Sequence, residues 1–178
     1  MSSNAMLNKG SPETARLSDW DAGDVNNRQI GGNHYALSRY QHWDYASDLY
    51  MRHLEGAGTK YLSRAGNKAG EPRLQDLEKA MHYFEKLLVT YQESRISSLH
   101  DVQGSTFDAE GPTAKFIAAS MRSHAFTPRS IAIMVRLSRW ANADDLKQCL
   151  MWLKEEIDEE KRKPVAIEAA GAGNAQLG

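Results

Sequence analysis

A single cysteine, Cys149, occurs in the 178 residues, so no disulfide can close within the chain and no cysteine-built zinc site can form. A lone thiol fits a reducing compartment. No apolar run approaches the ~20 residues of a membrane span, and no apolar stretch of a secretory leader follows the first Met. Both point to a cytoplasmic protein with no membrane partner. An excess of one charge is also missing. Lys and Arg number 22 against 23 Asp and Glu, a formal net charge of −1. Phosphate or nucleic-acid binding therefore has to come from a local patch rather than from a global basic field. Runs that alternate apolar and polar residues are absent, which leaves no strand signal.

Common chemical signatures are missing as well. There is no GxxxxGK[ST] loop, since "GAGTK" lacks its glycine spacing and a preceding strand, and there is no GxGxxG fingerprint. The six histidines include no HExxH and no compact pair, so no metal site is expected. "EEIDEEKRK" at Glu155 to Lys163 has the carboxylate density of a magnesium-holding helix. A partner helix with ExxD spacing is not evident, and acid followed by base suits an exposed helix end whose cations match the dipole.

What remains is helical patterning. Residues 1–29 are polar and aperiodic, and read as a flexible arm in which Ser3-Asn4-Ala5 before Met6 has the look of a cloning remnant. Trp20 is the one residue of the arm suited to docking. A helix is expected from Trp43 to His53 and another from about Glu55 to Ala65, where Gly56 and Gly58 each cost ~1 kcal/mol relative to Ala but allow close approach of backbone or ligand. "NKAGEPR" is a turn, with Pro72 suited to the first helical position. Leu74, Leu77, Met81, Phe84, Leu88 and Tyr91 then step by three and four, predicting a spine helix from about Arg73 to Ser97 with one buried stripe. Residues 99–111 read as a linker. Helices follow at Pro112 to Arg122, from the Thr127-Pro128 start to about Trp140, and after Asn142, where Leu146, Cys149, Leu150, Leu153 and Ile157 make the stripe. The tail from 164 to 178 reads as disordered. The expected fold is all-α: a small helical bundle (residues 30–98) with a long central helix, plus a second short helical unit (112–163) and flexible termini. Each unit is small for an isolated core, which suggests a homo-oligomer.

One pattern carries chemistry. Lys60, Arg64 and Lys68 recur every four residues and, on a helix, span ~12 Å, enough to follow a di- or triphosphate. Arg forks grip phosphate oxygens in pairs and Lys acts as a point charge. The same spacing also describes a solvated face ion-paired to Asp76, Glu78 or Glu85. As exposed cations these residues would each contribute only ~0–1 kcal/mol to stability. His34, beside Tyr35 in a glycine-flanked segment, is the best placed of the histidines.

Taken in order, His34-Tyr35, "KYLSR" at Lys60 to Arg64, Lys68, and "DLEKAMHYFEKLL" at Asp76 to Leu88 resemble the SaV-like family of bacteriophage proteins. The pattern of that family reads HY, GNxxKYxxR, K and DLxKAxxYL. The resemblance covers roughly Ile30 to Tyr91, and Ala57 stands where the family has Asn. The family includes a deoxynucleoside monophosphate kinase that works without a P-loop and a protein linked to a host abortive-infection system. The resemblance implies a phage-encoded nucleotide-binding protein acting in the cytoplasm of an infected bacterium, with kinase activity using Mg2+ and ATP as one form of it. In that form Lys60 and Arg64 neutralise phosphoryl groups, Lys68 or Lys79 assists, and Asp76 orients a Lys or a magnesium-bound water. His34 touches base or phosphate, and Tyr35 or Tyr61 stacks a base. A non-catalytic binder of nucleotides or of a host protein is the alternative. A nucleic-acid accessory protein using Arg122, Arg129, Arg136 and Arg139 is a third reading, disfavoured by the net charge.

Overall fold

The computed structural model describes residues 40–68, 70–99, 110–121 and 126–163. The expectations for the N-terminal arm, His34, Tyr35, Arg122 and the tail lie outside the described residues. Among the described residues six helices follow in order: α1 (His42–Asp48), α2 (His53–Arg64), α3 (Arg73–Gln92), α4 (Pro112–Ser120), α5 (Pro128–Leu137) and α6 (Ala143–Arg162). No strand occurs among the described residues, so the chain is all-α with a long central helix.

The helix starts follow capping chemistry. Thr127 Oγ1 accepts the Ser130 N–H at 3.0 Å ahead of Pro128. Asn142 Oδ1 accepts the N–H groups of Asp144 and Asp145 at 2.9 and 3.1 Å, which opens α6 as expected. The ends depart more. α1 stops at Asp48, short of the His53 expected, and Tyr50 turns the chain with φ 52°. α3 stops at Gln92 rather than near Ser97, where Ser94 takes φ 54°. Pro72 sits one position earlier than expected, in extended geometry just before the first turn of α3.

α3 is the spine. Its stripe of Leu77, Ala80, Phe84 and Leu87 is fully buried. α2 packs on one side of it and α6 on another, while α5 packs along α6. α6 contributes Leu146, Cys149, Leu153 and Ile157, and α5 contributes Ile133, Met134 and Leu137, to the same core. The stretches before and after residues 99–111 therefore share one apolar interior. Trp140, fully buried, sits edge-on to Tyr91 at 4.9 Å and donates its indole N–H to Glu55 at 3.0 Å. α1 and α4 meet through Tyr45 stacked on Phe116 at 4.6 Å. Burial raises the Cys149 thiol to about 12, so it stays a protonated, inert core group.

The two α2 glycines play different parts. A Cβ on Gly58 would lie 2.1 Å from the Phe84 ring, whereas one on Gly56 would meet only Ala46 at 3.9 Å. Gly58 therefore sets how closely α2 approaches the spine. Replacing Gly58 by Ala should cost about 1–3 kcal/mol through overpacking, while Gly56→Ala should stabilise by up to ~1 kcal/mol through helix propensity. Urea unfolding of the two variants checks this, and equal effects would show that Gly58 makes no close packing contact.

Candidate functional site

The basic stripe does not stay on one helix. α2 ends at Arg64, Gly66 adopts φ 84°, and the chain turns so that Lys68 lies in the loop ahead of α3. A left-handed glycine at this point breaks the four-residue periodicity. The three cations consequently have three different environments.

Arg64 is the most enclosed, its side chain 11% exposed against 1% for Asp76. Its Nη2 lies 2.8 Å from Asp76 Oδ1 and its Nε 3.1 Å from Oδ2, a forked pair joining the end of α2 to the first turn of α3. The carboxylate is also well placed at a helix N-terminus. Arg64 further lies over the Tyr61 ring at 4.6 Å, and Tyr61 stacks on Tyr83 at 5.6 Å. Asp76 therefore orients Arg64, and Lys79 Nζ also comes within 3.9 Å of its Oδ1, beside the role of orienting a Lys or a magnesium-bound water that the resemblance implies.

Lys68 and Lys79 both pair with Glu71, and Arg64 Nη2 approaches the same carboxylate at 3.4 Å. The hydrogen bonds from Lys68 and then Lys79 hold the Glu71 carboxyl down at about 2. Glu71 was not singled out from sequence. Its signal was available: it is the one acid in the loop between α2 and α3, three residues after Lys68 and two before Arg73 opens α3.

Lys60 makes no ion pair among the described residues. Its ammonium lies 5.5 Å from the Tyr61 centroid and borders an open cleft of about 400 Å³ between α1 and α2, whose walls include Trp43, Tyr50, Arg52, His53 and Gly56. Trp43, 48% exposed, was missed from sequence because α1 is short and its periodicity placed only Ala46, Leu49 and Tyr50. Beneath the cleft His42 Nε2 lies 2.9 Å from Thr59 Oγ1. The Thr59 hydroxyl donates to the Glu55 carbonyl at 2.8 Å, so His42 donates to Thr59. Burial, and secondarily the Lys60 charge, lowers the His42 pKa to about 3, so the ring is neutral.

Comparison with family models, curated proteins and solved structures found no match. The site must be judged on its own geometry.

The other charged patterns are committed within the fold. Arg129 pairs with Glu155, Glu156 and Glu159, and Arg73 with Glu156 and Glu160. The acidic run of α6 thus meets guanidinium groups, and no cluster of three or more His, Cys, Asp or Glu is placed to hold a metal among the described residues. Arg136 pairs with Asp145 at 2.8 Å and lies over Trp152 at 5.8 Å. Two of the arginines considered for nucleic acid are therefore held by α6. An Arg in the first turn of α3, where the helix dipole disfavours a cation, was the sequence signal for Arg73's specific partners.

Two outcomes follow from this geometry. Arg64→Ala should destabilise the protein by about 3–5 kcal/mol, because it strands a buried carboxylate. This reverses the small effect expected of an exposed cation. Arg64→Lys should recover only part, since the fork is lost. Chemical denaturation distinguishes the cases, and a loss under ~1 kcal/mol would mean that the pair is solvated. For His42, the folded value lies below the ordinary 6.5, so the unfolded chain takes the proton first as pH falls. The stability His42 contributes is fully present above pH 6.5 and is lost from there towards pH 3, at up to ~1.4 kcal/mol per pH unit. The slope between pH 6 and 5 should disappear in His42→Gln; an unchanged slope would assign it to other groups.

Proposed function

We propose that this chain is a nucleotide-binding protein whose cleft between α1 and α2 takes a deoxynucleoside monophosphate, with the phosphate on Lys60 and the base against Trp43. The observation that carries the reading is the environment of Lys60. Among the described residues it is the cation of the stripe with no carboxylate partner, and it stands at the rim of a cleft beside an exposed indole. A volume of about 400 Å³ falls in the range of small-ligand sites. Every base offers a π face, and an aromatic platform contributes ~1–3 kcal/mol per stacked base. The resemblance to SaV-like phage proteins over Ile30 to Tyr91 supports the same ligand class, and with it a phage origin.

Binding, rather than turnover, is the part that the geometry favours. Phosphoryl transfer rests on neutralising the charge of a donor, commonly with a metal. The acids nearest the basic stripe are Asp76 and Glu71. Arg64 occupies both oxygens of Asp76, and Glu71 is held by Lys68 and Lys79. This donor set does not suit magnesium. A non-catalytic nucleotide binder is therefore the better reading of this site than a kinase.

The test is titration calorimetry of the full chain with the four deoxynucleoside monophosphates. Lys60→Ala should weaken binding by about 1.5–3 kcal/mol, the worth of a charge-assisted hydrogen bond, with stability changed by under ~0.5 kcal/mol. Trp43→Ala should weaken all four bases by about 1–3 kcal/mol. If no nucleotide binds, or if both variants bind as wild type does, the reading fails.

A further inference from the structure

Glu71 holds an unusual position. Three cations from three chain segments converge on its carboxylate: Arg64 from the end of α2, Lys68 from the loop and Lys79 from the second turn of α3. Arg64 Nη2 is 3.4 Å from both carboxylate oxygens. The guanidinium is oriented by Asp76 at its other edge, so its position does not depend on Glu71. The two lysines are 40% and 35% exposed while Glu71 itself is 9% exposed, so the cluster opens to solvent on the lysine side.

We propose that Arg64, Lys68 and Lys79 form a phosphate-binding site that Glu71 fills from within, and that a dianionic phosphate group takes its place when the Glu71 side chain rotates out. Charge selects the ligand. With Glu71 in, three cations face two carboxylates, Glu71 and Asp76, leaving a surplus of one. With Glu71 out the surplus is two, which a phosphate monoester with its second pKa near ~6 matches at neutral pH. A carboxylate or chloride leaves the cluster undercompensated. The internal occupant lowers apparent affinity by the fraction of time it holds the site, so binding responds to a single side chain. The proposal extends the nucleotide reading, because Lys60 and Lys79 each lie 5.5 Å from the Tyr61 centroid. The second seat is thus adjacent to the first, and takes a phosphate separate from the one on Lys60.

Inorganic phosphate is the probe, since it needs neither Trp43 nor a base. Calorimetric titration at pH 7.5, with chloride matched for ionic strength, should show Glu71→Gln binding phosphate about tenfold tighter than wild type. Adding Lys68→Ala or Lys79→Ala to that variant should remove most of the gain, and adding Lys147→Ala, an exposed lysine of α6 paired with Asp144, should leave it. Glu71→Asp, one methylene shorter, should fall between wild type and Glu71→Gln, and it serves in its place if Glu71→Gln does not fold. Equal phosphate affinity in wild type and these variants, or a gain that survives loss of both lysines, overturns the proposal. Tight phosphate binding by Glu71→Gln together with no nucleotide binding by any form would uphold this site and reject the nucleotide reading.

Discussion

The forked pair between Arg64 and Asp76 is the contact on which the functional face depends. It closes the turn between α2 and α3 from inside, joining the last residue of one helix to the first turn of the next. Buried pairs of this kind add little against an apolar replacement, but they exclude arrangements that leave either charge alone. With Arg64 fixed, the turn has to bring Lys68 and Glu71 close to it, and Lys79, one helical turn beyond Asp76, reaches the same carboxylate. The aromatic pair Tyr61 and Tyr83 then forms the floor beneath the cations. Gly58 sets the separation of the two helices on the other side of the turn, by admitting the Phe84 ring where any side chain would collide.

A second buried acid links this face to the rest of the chain. Glu55 is fully buried and accepts from the Arg52 backbone N–H at 2.8 Å, from the Arg52 guanidinium, and from the Trp140 indole at 3.0 Å. Arg52 also reaches the Ser97 carbonyl at 2.7 Å. The start of α2 is thereby tied both to the segment after α3 and to the end of α5. These bonds satisfy a carboxylate that would otherwise carry a large desolvation cost. They place the α2 wall of the cleft, and hence Lys60, relative to the core.

Local physics explains which parts of this were legible in the sequence. The all-α class, the spine stripe from Leu74 to Tyr91, the Thr127 and Asn142 caps and the α6 stripe all follow from short-range rules of periodicity and hydrogen bonding. They appear as expected except on the spine, where the fully buried face is Leu77, Ala80, Phe84 and Leu87, and Leu74, Met81, Leu88 and Tyr91 are only partly buried. Helix ends were less legible, since the positive φ of Tyr50 and Ser94 is unusual for such residues and carries no composition signal. The basic stripe is legible as a group, with Lys60 and Arg64 expected to share one role and Lys68 to assist. Gly66 separates Lys68 from the helix, and partners distant in sequence divide the roles: Asp76 buries Arg64, Glu71 gathers the lysines, and Lys60 is left facing a cleft. Spacing along one helix cannot encode such pairings. The same holds for α6, where Arg73 and Arg129, far away in sequence, turn what reads as an exposed helix end into an ion-pair network.

That division bears on the phosphate binding proposed for a chain with a net charge of −1. Four of its arginines are spent internally: Arg64 on Asp76, Arg73 on Glu156 and Glu160, Arg129 on α6, Arg136 on Asp145. Such groups build the frame and leave the outer field weak, which disfavours long-range attraction of nucleic acid. Among the described residues, Lys60 and Lys79 lie beside the Tyr61 ring, and Lys68 joins Lys79 and Arg64 around Glu71. Lysine ammonium groups on flexible stems can exchange one anion for another without disturbing the backbone. An arginine frame beneath a lysine surface therefore supports the proposal of a small, short-range anion site, and the exposed Trp43 is the apolar surface that a bare phosphate does not need and the proposed nucleotide does.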